Sequence, residues 1–369
     1  MQKNAVCGRK EGGMMHTFDY LKTPSTLLSA DITGLLLELR ECKGRQTLWM
    51  TARPEVLRSL LDVARVESVG ASNRIEGIVT TRPRLEGIVL HATEPHGRDE
   101  QEIAGYRDVL SLIHEQHDYI DITANTILQL HRDLMRHTSF SYGGHWKDTD
   151  NEIVGFDAGG NRVTRFVPTP AIATPEAMEN LCAALREGLA QGDGDPLLTV
   201  YRFVFDFLCI HPFNDGNGRM SRLLTVLLLE RLGYQVGAYV SVERLIEDNK
   251  TLYYEALAAS SVGWDGDGND EAPFVRFMLG IVLAAYRDFA NRVESVAGGN
   301  RRTKAQRVAD VFDRRLGKVT KSMIHEECPD VSMTTIERTL ANMLAQGRIE
   351  KVGSGRSTGY VVRHDAIKS

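Results

Sequence analysis

Apolar residues recur at helical spacing along most of the chain, which predicts a mainly α-helical protein. One such segment runs from Pro54 to Gly77, and its first and last residues suit the two ends of a helix. Further helices are expected at about residues 99–117, 123–136, 175–189, 196–210 and 219–232. The last two are apolar on nearly every side, so we expect both to be buried.

The pattern changes between Ser141 and Pro168, where Gly, Asp and Asn are frequent. Two short β-prone pieces, Glu152–Phe156 and Arg162–Val167, are joined by Ala158–Asn161. This arrangement is typical of a β-hairpin.

The last part of the chain follows another pattern. After two helical segments, Ser332 is placed to cap a helix over Met333–Ala345, which Gly347 would end. Short strands are expected at Arg348–Val352 and Gly359–Val362, so the tail is predicted to be a winged helix-turn-helix. The expected regions are a leader and helical segment (1–53), a helical region whose main helix covers about 54–77 (54–98), a helical core (99–292), a linker (295–300) and the winged helix (301–369).

Charge is distributed unevenly along the 369 residues, whose net charge is −5. Residues 301–369 hold 14 Lys/Arg and 8 Asp/Glu, a net charge of +6, which leaves −11 on the rest. The overall charge argues against a protein that coats nucleic acid along its whole surface. The basic tail is compatible with DNA contact through phosphates, and the plainer alternative is a protein-docking or dimerisation module of the same fold.

The five cysteines are scattered, and no two stand at CxxC spacing, so we expect reduced thiols and a cytoplasmic protein. No apolar run is long enough to cross a bilayer, which predicts no membrane association. The polar start, MQKNAVCGRKEGG, lacks the apolar stretch of a signal peptide. It is expected to be a disordered leader, or to precede a true start at Met14 or Met15.

The stretch HPFNDGNGR, residues 211–219, lies between the two most apolar helices. His211 is the one side chain here with a near-neutral pKa and so a candidate general base. Asp215 is a hard oxygen ligand suited to Mg²⁺ beside phosphates. Two glycines and a helix N-terminus favour anion binding, and Arg219 and Arg222 share a helix face. A glycine-rich corner with solvated charges is the plainer alternative, but so many chemically suited residues together favour phosphorus-group transfer.

The same string closely resembles the signature of the Fic family, HPFx[D/E]GNGRxxR, with every defined position filled through Arg222. The resemblance covers about residues 55–285. It implies a Fic (Fido) helical core with a β-hairpin flap, and transfer of AMP from ATP to a Ser, Thr or Tyr hydroxyl of a target protein. His211 would then be the catalytic base, and Asp215 would bind Mg²⁺, with Mn²⁺ as an alternative. The flap, around 141–168, would hold the target by strand addition. The implied ATP-binding residues are Gly216, Asn217, Gly218, Arg219, Met220, Ser221 and Arg222.

A tyrosine pair, Tyr253 and Tyr254, resembles a pair that lines the base pocket in relatives. Aromatic faces suit a purine, but two ordinary core tyrosines explain the pattern equally well. Some relatives carry Asn eight residues after the first tyrosine, where this chain has Ser261, which puts a purine contact there in doubt.

A second motif, SNRIEG at residues 72–77, matches the inhibitory motif of Fic proteins, [S/T]xxxE[G/N], through Ser72, Glu76 and Gly77. A solvated glutamate at a helix end is the plainer interpretation. The resemblance implies instead that Glu76 forms a bidentate pair with Arg222. That pair would occupy the arginine needed to seat the γ-phosphate of ATP, so the enzyme would be autoinhibited.

Winged helices resembling this tail are appended to many bacterial Fic proteins, and relatives often form homodimers. The competing hypothesis is therefore a DNA-binding regulator whose core senses a nucleotide without catalysis. The complete motif with His211 argues against that alternative, because a pure sensor needs no base.

Overall fold

The computed structural model describes residues 16–52, 54–140, 142–156, 162–297 and 302–363. These residues form a mainly helical protein with two small antiparallel sheets, which confirms the predicted fold class. The helices are α1 (Ala30–Ala52), α2 (Pro54–Ile75), α3 (Arg82–His91), α4 (Gly97–Gln116), α5 (Ala124–Leu134), α6 (Thr174–Gln191), α7 (Pro196–Ile210), α8 (Asn217–Arg231), α9 (Val242–Asp248), α10 (Lys250–Ser261), α11 (Ala272–Ala297), α12 (Lys304–Arg314), α13 (Lys321–Glu327) and α14 (Met333–Ala345). The strands are β1 (Ile153–Phe156), β2 (Arg162–Phe166), β3 (Ile349–Val352) and β4 (Gly359–Val362).

Helices α7 and α8 form the buried centre of the larger core. Every residue of α7 from Leu197 to Ile210 is buried, as its almost uninterrupted apolar sequence predicts. Asp195 begins the helix by accepting a hydrogen bond from the Leu197 N–H at 2.9 Å, and Pro196 occupies its first turn. Because both flanking helices are buried, the turn between α7 and α8 is held in a fixed position.

Helices α2 and α4 bring acidic residues to that turn. Helix α2 packs against α4 and α9, and α4 packs against α5 and α8. The short helix α3, which apolar periodicity did not indicate, packs against α2 and α4. It begins with Pro83 in its first turn, and its apolar face is only Leu85, Ile88 and Val89, too few residues for a clear periodic signal.

The first sheet is the predicted hairpin. Strands β1 and β2 pair antiparallel, with Val154 opposite Thr164 and Phe156 opposite Arg162, and the register shifts between Ile153 and Val154. The side chains of β2 are exposed apart from the partly buried Phe166. The predicted connection Ala158–Asn161 and the predicted start at Ser141 lie outside the described residues.

The tail has a hydrophobic core of its own. Helices α12, α13 and α14 and the β3–β4 sheet enclose buried residues such as Val311, Ile336 and Tyr360. Ser332 caps α14, accepting a hydrogen bond from the Thr335 N–H at 3.4 Å. This arrangement agrees with the predicted order of elements, and its assignment as a winged helix stays a prediction.

The predicted linker at residues 295–300 is partly wrong, because α11 continues to Ala297. Val296 and Ala297 are compatible with a helix, and Gly298 is the first residue of the segment with a poor helix propensity. The remainder of that segment and the predicted N-terminal leader, including Cys7, lie outside the described residues. Of the described cysteines, Cys182, Cys209 and Cys328 are buried and, like Cys42, form no disulfide. Within the described residues, no helix is long and apolar enough to span a membrane.

Candidate active site

His211 stands at the point where α7 ends and the chain turns toward α8. Its backbone is left-handed, with φ 52° and ψ 61°, and its N–H still donates to the Phe207 carbonyl at 3.0 Å. Few non-glycine residues adopt this conformation, and those that do are often functional. Gly216, at φ 86°, is the second left-handed residue and begins α8. A side chain there would meet Met135 at 2.7 Å, so the turn requires glycine at this position.

Asn217 holds the turn closed. Its Oδ1 accepts from the Phe213 N–H at 2.9 Å, and its Nδ2 donates to the Phe213 carbonyl at 2.7 Å. The predicted phosphate ligand thus has both side-chain polar groups engaged with the backbone. Only its own N–H, in the first turn of α8, is placed to meet an anion.

His131 of α5 supports the turn from below, and sequence reasoning missed it. Its Nδ1 accepts from the Gly144 N–H at 3.1 Å, which leaves the proton on Nε2 to donate to the Asp215 carbonyl at 3.0 Å. The ring also stacks on Phe213, with centroids 3.7 Å apart. Burial lowers the pKa of His131 to about 4, so it is neutral at physiological pH and serves as a fixed strut.

The environment of His211 keeps its imidazole neutral. Burial lowers its pKa to about 4, and the Lys147 ammonium acts in the same direction, whereas Glu76 and Asp215 act against it. Its Nδ1 is buried without a hydrogen-bond partner among the described residues. A neutral imidazole at pH 7 can accept a proton, which is what a general base requires.

Arg219 is the most deeply buried charge of the site. It forms an ion pair with Glu102 of α4 at 2.7 Å, and both side chains are 1% exposed. Its Nη2 also lies 3.6 Å from Asp215 Oδ1, and its Nε has no hydrogen-bond partner among the described residues. An unpartnered buried donor beside an anion-binding helix end suits a phosphate oxygen. Glu102 is a second residue that sequence reasoning missed.

Arg222 lies one turn further along α8 and faces the end of α2. Its Nη2 donates to Glu76 Oε1 at 2.8 Å and to the Ser72 carbonyl at 2.9 Å, and its Nε donates to Ser72 Oγ at 2.8 Å. The structure thus brings the two predicted partners together, but the bidentate geometry is wrong. Ser72 takes Nε, so the carboxylate is bonded through Nη2.

The Glu76 carboxylate also lies directly against the first turn of α8. A side chain built on Gly218 would come within 2.2 Å of Glu76 Oε1. Gly77, at φ 82°, ends the preceding segment, and its N–H donates to the Arg74 carbonyl at 3.0 Å. The carboxylate therefore occupies space that a bound anion would use.

Asp215 presents a carboxylate on the open side of the turn, with a side chain that is 41% exposed. Its Oδ1 accepts from the Gly216 N–H at 2.6 Å, and its Oδ2 lies 3.8 Å from Arg98 Nη2. Within the described residues there is no cluster of three or more metal-ligating side chains. One carboxylate is nevertheless enough for Mg²⁺ when substrate phosphates and water supply the other ligands, so Asp215 fits that ion.

The tyrosine pair is divided between two environments. Tyr253 is 4% exposed and packs on Phe274 and Phe277, as a core residue does. Tyr254 is 40% exposed and lines a cavity of about 440 Å³ between α10, α7 and the hairpin. The cavity is also lined by Ser261 and by Ile153, Val154, Arg165, Phe166, Leu208, Cys209, Leu257 and Ala258. Its size and apolar wall suit a heterocyclic base.

Two further predicted ligands have inward-facing side chains. Met220 is fully buried, and Ser221 Oγ donates to the Gly218 carbonyl at 2.8 Å within α8. Neither side chain faces the open side of the turn, so only their backbone could contribute to an anion site.

The amino-acid sequence is similar to those of several known proteins. Residues 121–229 match the family model described as Fic/DOC family. The "Protein adenylyltransferase Fic" of Nematostella vectensis is 26% identical over 234 residues, which cover 60% of this chain and 48% of that protein. The protein of the same name from Culex quinquefasciatus is 28% identical over 220 residues, 57% of this chain and 38% of that protein. The chain therefore matches less than half the length of these curated relatives.

The fold is also similar to that of a solved structure. The crystal structure of a Fic family protein from Desulfovibrio desulfuricans G20 has a TM-score of 0.58 and 23% sequence identity. The match covers 91% of this chain and 97% of that chain, so it includes most of the tail as well as the core.

Proposed function

We propose that this chain, a member of the Fic family, is a protein adenylyltransferase that transfers AMP from ATP to a hydroxyl of a target protein and of itself. One observation carries the proposal: a single short turn joins His211, whose environment lowers its pKa to about 4, to the N-terminus of α8, whose first turns carry Arg219 and Arg222. Base and phosphate-binding groups are thus fixed on one rigid turn between two buried helices.

The reaction uses these groups in a defined order. The phosphates of ATP lie against the N–H groups of the first turn of α8, with the buried Nε of Arg219 as a further donor. His211 takes the proton of a Ser, Thr or Tyr hydroxyl as its oxygen attacks the α-phosphorus. The new oxygen–phosphorus bond forms as the bond to the β-phosphate oxygen breaks, and pyrophosphate leaves. The adenine ring of ATP occupies the cavity beside Tyr254.

Asp215 is the proposed ligand for Mg²⁺, with Mn²⁺ as an alternative. When bound, the ion would supply charge neutralisation at the phosphates. The role of the chain is to present the carboxylate in a fixed place, because His131 holds the Asp215 carbonyl and Gly216 N–H holds its Oδ1.

The hairpin is the proposed clamp for the target segment. Among the described residues β2 pairs with β1 alone, so its other backbone edge is open for an extended peptide to pair. The segment that leads into the hairpin contacts the turn of the site, since Asn214 Nδ2 donates to Asp148 Oδ1 at 3.1 Å. A target hydroxyl held on this edge is thereby brought toward the turn that carries His211.

Glu76 is proposed to hold the enzyme inactive. It bonds to Arg222 and lies over Gly218, so it competes with a phosphate both for the arginine and for the space at the helix end. ATP bound beside it would have its α-phosphate misaligned for in-line attack.

Labelling with α-³²P-ATP tests both parts of the proposal. The Glu76→Gly protein is expected to label itself at least tenfold faster than the parent, since removing the carboxylate restores productive phosphate geometry. His211→Ala in the same background is expected to abolish the label. Equal rates in parent and Glu76→Gly would contradict autoinhibition, and labelling that survives His211→Ala would contradict the assigned base.

The rival function, a DNA-binding regulator, gains no specific contact from the structure. On the exposed face of α14, Glu337 pairs with Lys321 at 2.7 Å and stands next to Arg338. Retardation of a DNA fragment by the full chain, lost on deletion of residues 301–369, would support it. DNA contact by the tail, a homodimer and a cytoplasmic location stay predictions.

A further inference from the structure

Lys147 lies outside the signature motif, in the segment that leads from α5 to β1, and it is only 3% exposed. Lysine is almost never so deeply buried unless its ammonium has partners. Burial lowers its pKa to about 8, so it is still mainly charged at pH 7. A buried cation beside the candidate base needs an explanation that the motif does not supply.

Its contacts bracket His211. The Lys147 N–H donates to the carbonyl of Pro212 at 2.8 Å, and its Nζ donates to the carbonyl of Ile210 at 3.0 Å. One residue thus binds the two carbonyls on either side of the base. Asn151 Oδ1 accepts from the same Nζ at 3.0 Å and fixes the lysine side chain in place.

The backbone of His211 is a place where such a restraint matters. Its left-handed conformation is unfavourable for a side chain with a Cβ and persists only where the surroundings enforce it. The carbonyl of Ile210 also belongs to the last turn of α7, whose carbonyls lack partners within the helix and favour a cation. The hydrogen bond from the Lys147 ammonium to the Ile210 carbonyl both restrains the backbone before His211 and places a cation at the end of α7.

The charge of Lys147 acts on the imidazole as well. Besides burial, the Lys147 ammonium lowers the pKa of His211, whereas the Leu208 backbone, Glu76 and Asp215 raise it. Lys147 is the cation of this set. Since the arrival of phosphates would add negative charge at the site, a fixed positive charge opposes premature protonation of the base.

We propose that Lys147 is the positioning residue for the base: it holds His211 in its left-handed conformation through hydrogen bonds to both flanking carbonyls, and it places a fixed positive charge beside the imidazole. The role rests on the proposed function, because it acts on the base of that reaction. Lys147 does not touch the reacting atoms itself.

Kinetics in the Glu76→Gly background test the role, with Lys43→Met as the matched control. Lys43 Nζ also donates to a carbonyl just beyond a helix end, that of Leu232 at 2.5 Å after α8, on a different side of the core. Lys147→Met is expected to lower kcat by about tenfold to a hundredfold through a displaced base, with KM for ATP within about twofold. In Lys147→Met the acid limb of the pH profile, where kcat falls as His211 is protonated, is expected to move to higher pH. The reason is that loss of the positive charge raises the pKa of His211.

The conservative variant separates charge from shape. Lys147→Arg retains a cation, so its acid limb is expected to stay at the position of the Glu76→Gly parent while kcat falls less than in Lys147→Met. The proposal is overturned if Lys147→Met matches Lys43→Met in both kcat and acid limb. It is also overturned if Lys147→Arg and Lys147→Met shift the limb equally.

A titration independent of catalysis separates this proposal from the proposed function. In protein labelled with ¹³C,¹⁵N-histidine, the His211 signal is identified by its loss in His211→Ala. Its midpoint is expected to rise in Lys147→Met and to stay in place in Lys43→Met and Lys147→Arg. An unmoved midpoint in Lys147→Met overturns the proposal even if Glu76→Gly is active, whereas an inactive Glu76→Gly protein contradicts only the proposed function.

Discussion

Arg219 and Arg222, one turn apart on α8, each pair with a glutamate from earlier in the chain, but the two ion pairs differ in exposure. Arg219 pairs with Glu102 at 2.7 Å, and both side chains are 1% exposed. Arg222 pairs with Glu76 at 2.8 Å, but the glutamate is 34% exposed. The distances are nearly equal, so the exposure decides what each pair can do. The first pair is enclosed in the core, whereas the glutamate of the second is open to solvent.

Breaking the buried pair should have the largest effect. Glu102→Ala leaves the Arg219 charge buried without its partner, which is expected to cost about 3–5 kcal/mol in the free energy of unfolding. Arg98→Ala is the matched control, because Arg98 bonds the same glutamate at 2.8 Å but is 64% exposed. The control is expected to lose less than about 1 kcal/mol. Urea denaturation measures both, and equal losses would show that Glu102 is not a core partner.

Breaking the exposed pair should change ligand response more than stability. Glu76→Gly leaves Arg222 with its bonds to Ser72, so its unfolding free energy is expected to fall by about 1 kcal/mol or less. The freed Nη2 donor can then bind phosphate, so ATP with Mg²⁺ should raise the melting temperature more than in the parent. Thermal scans with and without ATP measure this difference. An identical ATP-induced shift in parent and variant would mean that Glu76 does not compete with the nucleotide.

The smallest effect is expected from Arg74→Ala, which removes the ion pair that holds the segment of Glu76 in place. Arg74 fixes the end of α2 to α9 by donating to both carboxylate oxygens of Glu247, at 2.8 and 2.7 Å. The side chains of this pair are 43% and 24% exposed, so Arg74→Ala is expected to cost less than about 1 kcal/mol and to raise AMP transfer by about two- to fivefold.

Arg82→Ala is the control for that variant. It removes a similar pair, with Glu86 on the surface of α3, and should leave transfer unchanged. Initial rates with labelled ATP distinguish the two variants. An Arg74→Ala rate equal to that of Arg82→Ala would show that the anchor at α9 does not hold Glu76 in place.

Much of this site was predictable, because its signals are local in the chain. The residues of HPFNDGNGR are consecutive, and their types alone indicate a base, a metal ligand and an anion-binding turn. The apolar composition of α7 and α8 predicted their burial correctly. The pairing of Glu76 with Arg222 was also proposed from a motif, and the two side chains do meet.

Other residues of the site left no local signal. Glu102, His131 and Lys147 are single polar residues in separate segments, and nothing in the neighbours of Glu102 and Lys147 marks these two as buried. A search for polar residues on otherwise apolar helix faces would have found His131, which lies between Leu130 and Leu134 on the buried side of α5. The different environments of Tyr253 and Tyr254 likewise depend on how α10 is rotated against α11.

The sequence by itself determined the helical elements, the turn and the chemical types that surround it, since these follow from periodicity and from consecutive residues. Only the tertiary structure decided which charges are partners and how exposed each pair is. Partner choice depends on helices brought together from distant parts of the chain, and exposure depends on what packs above them. For that reason Arg219 and Arg222 look alike in sequence, whereas in the folded protein the carboxylate paired with Arg219 is buried and the one paired with Arg222 is partly exposed.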